Sequence, residues 1–153
     1  MTYFAYNFLL AIAAVVALPY YLVRARRKGQ PWSSLPQRCG FLPRSFVQTG
    51  SGTIWLHAVS VGEVLSSVPL VRELRRRFPG ERVFVSTGTV TGQELAREKL
   101  GEWADGIFYA PLDLPFAVRR VLACLRPKLV IVAETEIWPN LYRQVKRSGA
   151  SLM

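Results

Sequence analysis

An α/β domain with a parallel sheet, preceded by an apolar N-terminal helix, is the fold class this sequence predicts. Three observations predict it. From Thr53 to the last residue, short apolar runs alternate with longer segments of helical periodicity. From Met1 to Val23 no side chain is charged. The first acid of the chain, Glu63, stands where the first apolar run gives way to a helical stripe.

TIWLHA, from Thr53, is a short apolar strand. EVLSSVPLVRELRRRF places Val64, Leu65, Val68, Val71, Leu74 and Phe78 on one helical face. Pro69 suits a first turn better than an interior, so the helix is expected to begin near Ser66 or Ser67. RVFVS is the second strand. Gly92 to Leu100 is the second helix, with Thr91 as N-cap and Glu94 as its capping-box partner. GIFYA is the third strand. LDLPFAVRRVLACL is the third helix, capped by Asp113, with Pro115 in its first turn. KLVIVA reads as a buried strand, WPNLYRQVKRSG as a fourth helix ended by Gly149, and ASLM as the start of a fifth strand. Strands and helices alternating at these lengths imply right-handed βαβ units around a parallel sheet.

The N-terminal run would rise roughly 33 Å as a helix, close to the thickness of a bilayer core. Tyr3, Tyr6, Tyr20 and Tyr21 lie toward its ends, and the cluster Arg24, Arg26, Arg27 and Lys28 comes directly after it. Positive residues beside a span stay cytoplasmic and meet anionic headgroups. Residues 1–23 are therefore expected to anchor the chain, with the remaining residues on the cytoplasmic face. Residues 24–52, rich in Pro, Ser and basic side chains, read as a juxtamembrane linker, and 53–153 as the folded domain. The net charge of +10 is concentrated early, with six basic residues before the first acid. No zinc-finger spacing, RNA-binding aromatic motif or helix-turn-helix accompanies it, so a membrane surface or small anions suit the charge better than nucleic acid. Cys39 and Cys124 are far apart and expected as free thiols. With a single histidine, these residues assemble no metal site.

In open parallel sheets ligands collect at the carboxyl ends of the strands. The stretches to read there are HAVSVG, STGTVTG, APLDL and ETEIWP. Glu63 sits at a helix mouth, where the dipole keeps a carboxylate ionised. It is either a helix-start acid that satisfies backbone donors or a general base for a substrate hydroxyl. Gly62 beside it permits close approach, and Ser60 belongs to the same corner. His57 is expected to be structural. Thr87, Gly88 and Thr89 offer hydroxyls and backbone N–H groups at a helix start without matching a nucleotide-loop pattern. Glu134 and Glu136 leave the end of a strand that otherwise looks buried, where charge is costly unless it meets solvent, a partner or a substrate.

WLHAVSVGEV, VSTGTVTG, YAPLDLP and VIVAETEIWPNL, in that order behind an N-terminal anchor, resemble the Kdo (3-deoxy-D-manno-octulosonic acid) transferases. The resemblance runs from the anchor to the last residue. It implies the N-terminal, Rossmann-like domain of a GT-B glycosyltransferase, which takes a lipid A precursor as acceptor. The donor CMP-Kdo would be bound by a C-terminal domain not present in this sequence. It further implies inverting transfer in lipopolysaccharide assembly at the bacterial inner membrane, without bound metal or cofactor. Glu63 would be the catalytic base. Glu134 or Glu136 would be the second functional carboxylate, with Ser60, Gly62, Thr87, Gly88 and Thr89 in support. On this reading the chain is the N-terminal half of an enzyme and is expected to transfer little or no Kdo alone. The competing readings are an anchored acceptor-binding module and a tethered Rossmann-like nucleotide-binding domain. The latter lacks the dinucleotide glycine pattern after the first strand.

Overall fold

The structure is a computed structural model. It describes residues 34–50, 52–134 and 137–153, together with Tyr6, Phe8, Leu10 and Ile12. Those four early residues are helical; the rest of the expected anchor, and the cluster at Arg24, Arg26, Arg27 and Lys28, lie outside the described residues. Among the described residues no helix is long and apolar enough to cross a membrane.

Residues from Pro36 onward form one compact unit. Its strands are β1 (Thr53–His57), β2 (Val83–Thr87), β3 (Gly106–Tyr109), β4 (Pro127–Val132) and β5 (Ser151–Leu152). A short α1 (Ser34–Arg38) precedes them, and α2 (Val61–Arg77), α3 (Val90–Leu100), α4 (Pro115–Leu125) and α5 (Pro139–Ser148) connect them. The order across the sheet is β3-β2-β1-β4-β5, and every pairing is parallel. The alternation read from the sequence therefore holds.

Side chains alternate across the sheet because successive residues of a strand point to opposite faces. Ile54, Leu56, Val83 and Val85 meet Val64, Val71, Leu74, Ala96 and Leu100 of α2 and α3 on one face. Trp55, Phe84, Phe108 and Val130 meet Val118, Val121, Leu125, Leu141 and Val145 of α4 and α5 on the other. Cys124 and Cys39 are free thiols, and half-burial raises the Cys124 pKa.

Local details depart from expectation in four places. Helix α2 begins at Val61 rather than near Ser66 and carries Pro69 in its interior. The Ser60–Glu63 capping box starts it early, and the exposed face at Pro69 lets solvent serve the carbonyl left without a donor. Helix α3 is capped by Thr89, whose hydroxyl accepts from Gly92 N–H, and not by Thr91. Helix α4 has Leu114 at its N-cap, and Asp113 serves a different helix. Finally, residues 36–48, expected as linker, pack onto the domain. Gln37 Oε1 accepts from Tyr109 N–H at 2.9 Å, Arg38 carbonyl from Leu112 N–H at 2.8 Å, and Phe46 packs on Phe84 and Phe108. A Pro-rich segment can be ordered by tertiary contacts that no local pattern announces.

Candidate functional site

The strand order places a switch point between β1 and β4, where consecutive connections leave in opposite directions around the sheet. The chain leaves β1 at Ala58 and β4 at Ala133, so the Glu63 corner and Glu134 lie at the carboxyl ends of these two neighbouring strands. Backbone bonds tie the strand ends together: Ala58 N–H to Ser86 O, Gly88 N–H to Val59 O, and Ala133 N–H to His57 O, each at 2.9 Å.

Glu63 is held tightly. One carboxylate oxygen accepts from Val59 N–H at 2.7 Å and the other from Ser60 N–H at 3.1 Å. Ser60 Oγ accepts from Glu63 N–H at 3.2 Å, which completes the capping box. The residue is only 3% exposed. Backbone capping is thus what the structure shows for this side chain. Each oxygen still keeps a lone pair. Beside Gly62 the approach is open, since an added Cβ would meet only Ser60 Oγ, at 3.9 Å.

His57 ends β1, fully enclosed. Ser86 Oγ accepts from Trp55 Nε1–H at 2.8 Å and lies 2.8 Å from His57 Nδ1. The neutral imidazole and the Ser86 hydroxyl thus share one hydrogen bond through Nδ1. Trp138 meets the imidazole edge-on at 5.1 Å. Burial pushes the His57 pKa down to about 4, and the Glu63 carboxylate opposes this in part. The ring is therefore neutral at physiological pH and structural, as expected.

The STGTVTG residues turn inward more than the sequence suggests. Thr87 is buried and donates its hydroxyl to Gln93 Oε1 at 2.6 Å, so it presents nothing to a ligand. A hydroxyl at the end of an interior strand is here taken up by the neighbouring helix. Thr89 is occupied as the α3 cap. Gly88 lets this loop close against the β1 loop, because a Cβ there would come within 2.4 Å of Val59 Cγ1. Its carbonyl accepts from Arg38 Nη2–H at 2.7 Å, and that guanidinium lies over the Tyr109 ring at 5.0 Å. Arg38 falls in the segment that reads as linker, so nothing local signals its place at the sheet's carboxyl edge.

Glu134 is exposed at the end of β4, and Glu136 lies outside the described residues. The loop after β4 is braced from an unexpected direction. Asp113 Oδ2 accepts from Asn140 N–H at 3.0 Å and Oδ1 from Leu141 N–H at 2.8 Å, while Asn140 Nδ2–H donates to Asp113 O at 2.6 Å. Asp113 is the missing N-cap of α5, supplied from the loop after β3. Replacing Asp113 with Ala is expected to cost about 1–3 kcal/mol, because two buried backbone donors lose a charged acceptor. A lower urea midpoint, with faster hydrogen exchange at Asn140 and Leu141, checks it. Among the described residues no cluster of His, Cys, Asp and Glu could hold a metal ion.

A five-stranded parallel sheet covered by helices on both faces, with its switch point between β1 and β4, defines a Rossmann-like α/β domain. A family model described as 3-deoxy-D-manno-octulosonic-acid transferase (kdotransferase) matches residues 33–153. The chain belongs to this family. The 3-deoxy-D-manno-octulosonic acid transferase of Haemophilus influenzae is 38% identical over 144 residues, covering 93% of this chain and 33% of that protein. The protein of that name from Chlamydia pneumoniae is 32% identical over 148 residues, covering 97% and 34%. That of Aquifex aeolicus is 32% identical over 101 residues, covering 66% and 28%. The chain thus spans about a third of the length of the curated relatives it matches.

Proposed function

We propose that this chain is the acceptor-binding, base-supplying part of a glycosyltransferase that moves Kdo from CMP-Kdo onto a lipid A precursor in lipopolysaccharide assembly. The transfer inverts the anomeric centre of the donor. The chain is the N-terminal domain of a GT-B architecture, and a C-terminal domain binds the donor. Residues 1–23 anchor it in the bacterial inner membrane, with the basic cluster from Arg24 to Lys28 against anionic headgroups on the cytoplasmic face. No cofactor or metal takes part in the chemical step.

The observation that carries the reading is the Glu63 carboxylate, fixed by two backbone N–H groups at a helix mouth beside the switch point. An attacking sugar hydroxyl must lose its proton as the glycosidic bond forms, and a pre-oriented ionised carboxylate can take it. The acceptor hydroxyl enters beside Gly62, where space is open, and reaches a lone pair left by Val59 and Ser60 N–H. Glu134 or Glu136 is the second functional carboxylate of this reading.

The apolar residues at the same end of the sheet support a lipid acceptor. Val61 and Leu65 on the first turns of α2, Leu112 and Phe116 around the start of α4, and Ile137 before α5 are all exposed. Such a collar suits an acylated molecule better than a free sugar. The test is transfer itself: the whole protein is expected to move labelled Kdo from CMP-Kdo onto an acylated, phosphorylated glucosamine disaccharide, and the 153-residue chain alone is not. Absence of transfer by the whole protein overturns the reading.

A further inference from the structure

On the outer surface of the domain, away from the switch point, α4 and α5 leave a groove of about 770 Å³ between them. Leu122, Ala123 and Pro127 form its apolar floor, and Arg119, Arg126 and Arg147 stand around it. Six basic side chains elsewhere in the domain have acids beside them: Arg75 and Arg82 face Asp105, Arg76 and Arg77 share Glu73, Lys99 pairs with Glu98, and Lys128 with Glu81. Among the described residues no carboxylate pairs with any of the three groove arginines. Three like charges around one concavity repel unless an anion joins them.

Two further features show that the arrangement is built. Arg126 adopts a left-handed backbone, φ 47° and ψ 52°, as the residue that ends α4. Glycine is the usual occupant of that position, since an L side chain strains it. The arginine held there sends Nη1–H to the Thr49 carbonyl at 3.0 Å, and Arg119 sends Nε–H to Pro115 O at 3.0 Å. Both guanidiniums are thereby oriented, with their remaining N–H donors open. Helix dipoles account for Arg126 and Arg147, which lie at the C-terminal ends of α4 and α5. They do not account for Arg119 in the first half of α4.

We propose that this groove is an anion site, separate from the switch-point crevice, that takes a phosphomonoester or diphosphate group. Planar guanidiniums pair with phosphate oxygens through parallel N–H bonds, and the apolar floor accommodates the carbon skeleton that carries the phosphate. The phosphate belongs either to a lipid headgroup or to a soluble ester. The site is independent of the transferase reading, and its test uses neither donor nor transfer.

The full chain, labelled with ¹⁵N, is titrated with pyrophosphate while the Ala123 and Ser148 amides are followed. The same chain is placed in nanodiscs of phosphatidylcholine with and without phosphatidylglycerol. Saturable shifts with pyrophosphate assign a soluble ester; shifts specific to phosphatidylglycerol assign a headgroup. Arg126→Gly is expected to weaken the interaction at least tenfold without lowering the unfolding midpoint, because glycine relieves the left-handed backbone. The double variant R119Q/R147Q is expected to abolish it. Amides unmoved by both probes, or variants that bind as tightly as the parent, overturn the proposal.

Discussion

Replacing Glu63 by Gln in the whole protein is expected to lower Kdo transfer by about 10²–10⁴-fold, the usual contribution of a positioned base. The fold should lose only about 1–2 kcal/mol, because the amide keeps one acceptor for Val59 or Ser60 N–H and forfeits the other. The two roles of this side chain separate on that contrast. If Glu63 acted only as a helix cap, E63Q turnover per folded molecule would stay close to the parent value. Glu63→Ala supplies the second arm. It removes both acceptors, so it should lower the urea midpoint further than E63Q while reducing transfer to a similar floor. A variant E63Q that transfers Kdo at near-normal rate, with or without a stability change, eliminates Glu63 as base.

The second large effect is acid lability. His57 is buried neutral, with a pKa of about 4 in the fold against 6.5 in an unfolded chain, chiefly through desolvation. Between those values the unfolded chain binds a proton that the folded chain refuses. Stability therefore rises with pH across this window. Its full contribution is present above about pH 6.5, and about 3 kcal/mol is lost as the pH falls to about 4. Urea unfolding followed by intrinsic tryptophan fluorescence should show the midpoint falling steadily from about pH 7 to about pH 5, a range in which unfolded carboxylates are already ionised. In His57→Gln the slope over that range should flatten, whatever the variant's stability at neutral pH. A parent protein with the same midpoint at both pH values contradicts a buried neutral imidazole.

The behaviour of these two residues shows how far the sequence reaches. Glu63 is found by its place, as the first acid after a long basic and apolar stretch, at the opening of a helical stripe. Helical periodicity and the dipole are local, so one strand–turn–helix corner suffices to locate it. Whether its oxygens face backbone or solvent depends on how the β1 loop folds back, and the sequence leaves cap and base open together. His57 as the end of a buried strand is legible too. The Ser86 hydroxyl that bonds its ring comes from the neighbouring strand, 29 residues away, and pairing register carries that information.

The alternation of apolar runs with periodic stripes determined, by itself, a parallel sheet covered on both faces, because each element's period dictates which side it must bury. Four ordered motifs also sufficed to indicate the family. Only the tertiary structure decided which groups were already spent. Thr87 turns to Gln93, and Asp113 leaves its own helix to cap α5. Arg38 comes from a supposed linker to lie beside Gly88, and Arg126 accepts a strained backbone beside a groove of uncompensated charge. Each of these outcomes is a competition among partners distant in sequence for a limited number of donors and acceptors. Hydrogen-bond satisfaction is settled across the whole domain, whereas periodicity is settled within a few turns of chain.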